Sequence, residues 1–321
     1  MKAAVLINPF AGGAGAMEAV CSALNDFLRP CEVVSARGFG GERIRSAHCC
    51  AEPEGDYRPR LFAAVDYLAA GEPDFFLVAG GDGFAAYVAD RLLKTGYPRP
   101  RILGVAMGTA NVGPIVCRTA GELYGASPES LAFAGCGAIE AFDGGDSLAF
   151  GFNDVVFGNT ILGTVDGRAQ TILARAMVES GQKVPAMPLE DLGGSLFIVK
   201  NGVRSPSPLP RTAQIVASAV ERENLYGRAV SGMLCFTSFA KERSALLFSE
   251  RPLVVTDYDP RGFETPALSA QILFAEGDEV VLEGLAPEAL VVADGNPYLR
   301  GNRPVVLRYR PNVVEIVRCR R

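Results

Sequence analysis

The feature that most constrains this chain is Phe75-Phe76-Leu77-Val78-Ala79-Gly80-Gly81-Asp82-Gly83-Phe84, an apolar run that ends in three glycines around one carboxylate. A continuous apolar run bounded by glycine suits a strand covered on both faces, hence a parallel sheet with helices above and below. Glycines at its end bring bare backbone N–H groups close to phosphates, and Asp82 stands where an attacking hydroxyl would lose its proton. The plainer alternative is a tight strand-to-helix turn with Asp82 as the helix cap. Two glycines before the aspartate and one after exceed what a cap requires, which favours phosphoryl chemistry.

The flanking sequence repeats the same alternation. Residues 3–7, 32–35, 74–79 and 102–105 read as strands, and residues 17–28, 60–70 and 84–94 as helices. In the first helix Ala19, Val20, Ala23, Leu24, Phe27 and Leu28 share one face. This is an α/β N-terminal domain with a parallel sheet, residues 1–118, whose ligand loops lie at the strand C-terminal ends. Beyond it the texture changes to short β-forming runs punctuated by glycine, proline and aspartate, at 148–157, 195–199, 233–237, 253–256, 271–274, 279–283, 290–292 and 305–309. Residues 119–321 are therefore expected to form a β-rich, antiparallel, sandwich-like domain whose C-terminal segment packs back on the first. Helices are predicted at 127–134 and 169–180, and the proline-dense 204–211 as a surface loop in preference to a polyproline ligand.

Composition narrows the chemistry. With 321 residues, 49% of them apolar, two domains of ordinary size each have a core. A formal charge of -5 gives no basic footprint, which argues against nucleic acid as a partner. The N-terminal apolar run stops at Asn8-Pro9, too short for a signal-peptide core, and no run is long enough to span a bilayer; a soluble cytoplasmic protein with no integral membrane segment is expected. Eight scattered cysteines without an export signal favour reduced thiols. His48-Cys49-Cys50 offers three adjacent soft ligands, which cannot wrap one tetrahedral ion, so the trio reads as a loop or helix turn and no metal site is assigned. His48 is the only histidine, which excludes most histidine-based triads and leaves a carboxylate as the base of any enzyme.

Three further clusters share the character of the first. Asn8-Pro9-Phe10-Ala11-Gly12-Gly13-Ala14-Gly15 follows a strand and opens a helix, and fits neither the Gly-x-Gly-x-x-Gly spacing nor the Walker motif. Gly108-Thr109-Ala110-Asn111 empties another strand into a loop whose hydroxyl and amide suit a phosphate or ribose, or simply close a turn. Asn153-Asp154 interrupts an apolar strand, where polar side chains need ligand or backbone partners. Arg37, Lys94 and Arg118 are candidate phosphate partners.

In this order, and with Asp294-Gly295 near the C-terminus, these motifs resemble the superfamily of NAD kinases and diacylglycerol or sphingosine kinases. Phe152-Asn153-Asp154-Val155-Val156 is similar to the Asn-Glu segment of its NAD kinase branch, including acetoin-catabolism-X-type relatives, a pair that the lipid kinases usually lack. The resemblance implies an NAD kinase-like fold with the site in the cleft between two domains, ATP and Mg²⁺ as cofactors, NAD as the first-choice acceptor, and a homo-oligomer. It implies Asp82 as catalytic base, with Asn8, Gly12, Gly13, Gly80, Gly81, Gly83, Phe84, Gly108, Thr109 and Asn111 along phosphate and nucleotide. Asn153, Asp154 and Asp294 would bind the substrate. The chain departs from that pattern at Phe84, where threonine is usual, at Asp154, where NAD kinases carry glutamate, and at Cys235-Phe236-Thr237-Ser238, a poor match to their Gly-Ser/Thr-rich segment. A lipid kinase of the same superfamily and a nucleotide-binding protein that has lost its chemistry are the competing readings.

Overall fold

Two strands buried along almost their whole length set the frame of the first unit, in a computed structural model that describes residues 1–107, 111–165, 168–220, 243–256 and 264–317. This unit comprises Met1–Cys136 with Asn312–Arg321. Its elements are β1 (Lys2–Ile7), α1 (Gly13–Phe27), β2 (Glu32–Ala36), β3 (Ala47–Cys50), α2 (Tyr57–Ala70), β4 (Phe75–Gly80), α3 (Asp82–Lys94), β5 (Arg101–Ala106) and β6 (Val116–Arg118). The sheet runs β5-β4-β1-β2-β3, all parallel. β6 and the end of the last strand, at Glu315 and Ile316, also pair in parallel with β5.

Strand burial explains the order. Ala3 to Ile7 in β1 and every residue of β4 are buried, so both strands must be central and covered on two faces. On one face Val20, Leu24 and Phe27 of α1 pack on Val5, Ile7, Phe75 and Leu77. Such large apolar side chains contribute about 1.5–3 kcal/mol each when fully buried. Leu61, Val65 and Leu68 of α2 and Phe84, Val88 and Leu92 of α3 are likewise buried. Ala19, expected on the apolar face of α1, is exposed.

The second unit is Gly137–Pro311. Along the chain follow β7 (Phe133–Asp143), β8 (Asp146–Gly151), β9 (Val155–Gly158), β10 (Thr160–Val165), β11 (Arg168–Leu173), α4 (Ala174–Ser180), β12 (Phe197–Lys200), β13 (Val203–Pro206) and β14 (Gln214–Ala219). Then come β15 (Ser244–Ser249), β16 (Ser269–Phe274), β17 (Val280–Glu283), β18 (Leu290–Ala293), β19 (Asn296–Tyr298) and β20 (Val305–Val317). An antiparallel sheet of six strands, β16-β15-β14-β9-β18-β19, carries a core of Val156, Val216, Leu247, Leu290 and Val292. β13, β12, β17 and the first part of β20 pair antiparallel, and β7 with β8 and β10 with β11 form hairpins.

The expected α/β and antiparallel β regions are both present, while several local expectations give way to packing. Residues 127–134 are not a helix. Pro128 opens a single 3-10 turn capped by Ser127, and β7 begins at Phe133. Residues 169–180 divide into β11, held by Ile161–Ile172 pairing, and the short helix α4. Residues 253–256 form no strand, because the amides of Leu253 and Val254 donate to the Gln214 side chain and not to a neighbouring strand. His48-Cys49-Cys50 belongs to β3, in register with Val34, Ser35 and Ala36, and is neither loop nor helix turn. The expected loop at 204–211 begins inside the edge strand β13. Residues 233–237, and with them Cys235-Phe236-Thr237-Ser238, lie outside the described residues.

Candidate functional site

The strand order 3-2-1-4-5 reverses between β1 and β4, so the loops leaving these two strands diverge and open a crevice at their C-terminal ends. The glycine-rich segments fall on those loops. Asn8 N donates to Ala79 O at 2.8 Å and Met107 N to Gly80 O at 3.1 Å, which laces the ends of β1, β4 and β5 together. Asn8 closes its own turn, its side-chain oxygen accepting from Phe10 N at 3.1 Å. Gly12 caps α1 with φ +76°, and a β-carbon there would stand 2.6 Å from Met107 O, so only glycine fits. Gly13 is exposed with open space around it, leaving the start of α1 accessible to an anion.

The two glycines before Asp82 differ. A β-carbon on Gly80 would lie 2.8 Å from a Phe84 ring carbon and 3.2 Å from Asn8 Cβ, so this glycine serves packing. On Gly81, the cap of α3, the nearest atom would be Asn111 Oδ1 at 3.7 Å. That bare backbone faces unfilled space. Gly83 is half-buried in the first turn of α3.

Asp82 does not cap the helix that it begins. Its Oδ2 accepts from Val112 N at 2.6 Å and Gly113 N at 2.8 Å, on the loop that follows β5. Its Oδ1 is buried and has no hydrogen-bond partner among the described residues. Burial lifts the Asp82 carboxyl above its ordinary 3.8, against the lowering pull of the two amides. A β-carbon on Gly113 would come within 3.1 Å of this carboxyl carbon, so the loop needs glycine there to hold it. Gly113 lies two residues beyond the Gly108–Asn111 cluster that stands out in the sequence. Phe84 is 5% exposed, its ring turned against Gly80, so it sits in the core beneath the turn. Gly108 and Thr109 lie outside the described residues.

Two of the three candidate cations are held in ion pairs. Lys94 pairs with Asp90 at 2.8 Å in the last turn of α3, about 18 Å along the helix from Asp82. Arg118 pairs with Glu122 at 3.3 Å. Arg37 is exposed and lines a cavity of about 590 Å³ with Glu42, Cys49 and Glu52.

In the second unit Asn153 and Asp154 form the turn between β8 and β9. Asn153 Nδ2 donates to Asp154 Oδ2 at 2.8 Å, while Asn153 Oδ1 is buried without a partner among the described residues. Asp294 lies beside them, accepting from the amides of Phe152, Asn153 and Asp154 at 2.7–3.0 Å. Both of its oxygens are thereby occupied.

No family model matches the chain. An uncharacterized protein of Archaeoglobus fulgidus is 27% identical over 317 residues, 96% of this chain and 95% of that one. The crystal structure of yeast NADH kinase complexed with NADH aligns with a TM-score of 0.52 and 11% identity, over 98% of this chain and 82% of that one. An NAD kinase from A. fulgidus in complex with ATP gives 0.51 and 13%, over 99% and 94%. The fold is NAD kinase-like. In that fold the described residues hold no group of three acidic, histidine or cysteine side chains able to cage a metal, and no helix long and apolar enough to cross a membrane. A lone buried carboxylate oxygen beside bare glycine backbone does fit a nucleotide polyphosphate and a hard cation carried with it.

Proposed function

We propose that the chain is an ATP-dependent kinase of the NAD kinase-like superfamily that phosphorylates a hydroxyl of a small molecule, with NAD the first acceptor to test. The observation that carries this reading is the state of Asp82: one oxygen fixed by two loop amides, the other buried and unengaged among the described residues, at the glycine turn between β4 and α3. A carboxylate held this way keeps Oδ1 for the proton of an attacking hydroxyl. Its raised proton affinity suits that task.

The bare backbone at Gly12, Gly13 and Gly81 would cradle phosphate oxygens, with Asn8 and Gly80 shaping the turn and Asn111 and Gly83 at its border. Mg²⁺ bound to the polyphosphate, with Asp82 the residue nearest to hand, would supply charge neutralisation on the transferred group. Asn153 and Asp154, both acceptors, are assigned to the hydroxyls of the acceptor substrate. The same reading carries a homo-oligomer, which light scattering of the purified protein checks. Purified protein incubated with ATP, Mg²⁺ and NAD should release ADP and form NADP, and Asp82→Asn should abolish both. Full activity in that variant would sink the assignment.

One observation favours a second reading. A. fulgidus possesses an NAD kinase of this fold, yet its uncharacterized protein shares about twice the identity with our chain. A lineage that keeps both supports a hydroxyl acceptor other than NAD for this one, and a panel of polyols, diacylglycerol and nucleosides with ATP separates the two.

A further inference from the structure

Asp294 occupies the first position of a two-residue hairpin between β18 and β19, with φ +49° followed by Gly295 at +79°. Aspartate tolerates that conformation, and asparagine or glycine would make the turn equally well. The carboxylate therefore needs a separate explanation. It is 8% exposed, with Oδ2 accepting from Phe152 N at 2.8 Å and Oδ1 from Asn153 N at 2.7 Å and Asp154 N at 3.0 Å. In return Asp294 N donates to Asp154 O at 3.0 Å. Ser218 Oγ adds a bond of 2.6 Å to Asn153 O from β14. Five hydrogen bonds thus fix a three-residue turn whose side chains bring together the Asp154 carboxylate and an Asn153 Oδ1 that has no partner among the described residues.

We propose that Asp294 is a positioning residue: by gripping the amides of Phe152, Asn153 and Asp154 it presents Asn153 Oδ1 and the Asp154 carboxylate as a preformed pair of acceptors for a hydroxyl-bearing substrate. What binds there rests on the kinase reading above; the grip itself does not. Among the described residues the charged group that acts on Asp294 is Asp154, and the turn packed against it adds the amides of Phe152, Asn153 and Asp154. Desolvation first, and the Asp154 charge second, push the Asp294 carboxyl up to about 7, against three amides that pull it down. Ionised, Asp294 grips all three N–H groups; protonated, one of its oxygens becomes a hydroxyl and a weaker acceptor. Substrate capture at this turn should therefore improve as pH rises through neutrality.

The test uses the full chain as wild type, Asp294→Asn and Asp154→Asn between about pH 5.5 and 8.5. Amide hydrogen exchange reads the grip, and calorimetry with NAD, and separately with ATP, reads binding. Asp294→Asn should lose protection at residues 152–154 and weaken NAD binding, each by roughly 10- to 100-fold, with ATP affinity unchanged. In wild type the protection should rise with a midpoint near pH 7, and Asp154→Asn should move that midpoint down. A merely structural role would shift ATP and NAD binding together and leave no such midpoint. Unchanged protection in Asp294→Asn, or wild-type protection independent of pH, overturns the proposal. If wild type binds no NAD but the exchange pattern appears, Asp294 is upheld and NAD fails as the acceptor. If Asp294→Asn does not fold, the midpoint shift in Asp154→Asn decides alone.

Discussion

Asp82 and Asp294 are the same residue in similar company, the first half-buried and the second buried, each a carboxylate gripped by backbone amides of a distant loop. Two amides hold Asp82 by a single oxygen, whereas three hold Asp294 by both. That difference separates their chemistry. A carboxylate with one oxygen in reserve has a fixed orientation and a vacant lone pair, the requirement for a general base. One with both oxygens committed can only organise its neighbours. Motif position alone ranks the two alike, since each is an Asp followed by Gly at the end of a strand.

The comparison breaks most sharply on kcat. Asp82→Asn keeps an acceptor for the Val112 and Gly113 amides but removes the base, so kcat should fall by roughly 10²- to 10⁴-fold with the fold intact. Asp294→Asn should instead raise the KM of the hydroxyl acceptor, by roughly 10- to 100-fold, with a smaller change in kcat. Steady-state kinetics on both variants checks the contrast, and an exchange of phenotypes would refute it. The glycines give a milder version of the same test. Gly80→Ala drives a methyl into Phe84 and should cost about 1–3 kcal/mol of stability, read by denaturant unfolding. Gly81→Ala meets nothing closer than 3.7 Å in the protein, so stability should hold while the KM for ATP rises by about 10-fold.

Much of this was legible in residues 75–84, because a strand buried on both faces leaves a continuous apolar signature and glycine marks where it ends. What escaped were interactions set by tertiary register. The partners of Asp82 lie 30 and 31 residues on, in a loop whose path depends on β5 and β6. In the string Phe84 stands where threonine is usual, beside the glycines of the turn. Once Asp82 begins α3, two residues turn the helix about 200°, so Phe84 faces the core on the side opposite Asp82. Helix α1 begins at Gly13, four residues before the apolar periodicity starts, because Gly12 supplies a left-handed cap that propensity does not register. The helix expected at 169–180 forms only over Ala174–Ser180, because cross-strand pairs such as Ile161–Ile172 hold the residues before it in a strand, and at 127–134 Pro128 permits no more than a 3-10 turn.

The smallest expected effect concerns stability against pH, and it follows from the sign of the Asp294 shift. The folded chain holds a proton on Asp294 up to about pH 7, whereas the unfolded chain releases it near the ordinary 3.8. Between these limits the native state binds more protons, so this residue makes stability fall as pH rises, and its contribution levels off above the upper limit. Asp82 acts in the same direction, since burial raises its carboxyl as well. Relative to wild type, Asp294→Asn should therefore flatten the dependence, gaining on the order of 5 °C in Tm at pH 8 compared with pH 5 after subtraction of the lost hydrogen bond. Asp82→Asn should flatten it in the same sense. Thermal melts across that range check both, and a steeper slope in Asp294→Asn would mean that the buried charge is stabilised in the native state rather than tolerated there. On the geometry described, stability and substrate capture pull Asp294 in opposite directions across neutrality, which is the cost expected of a carboxylate kept for positioning when asparagine or glycine would turn the chain as well.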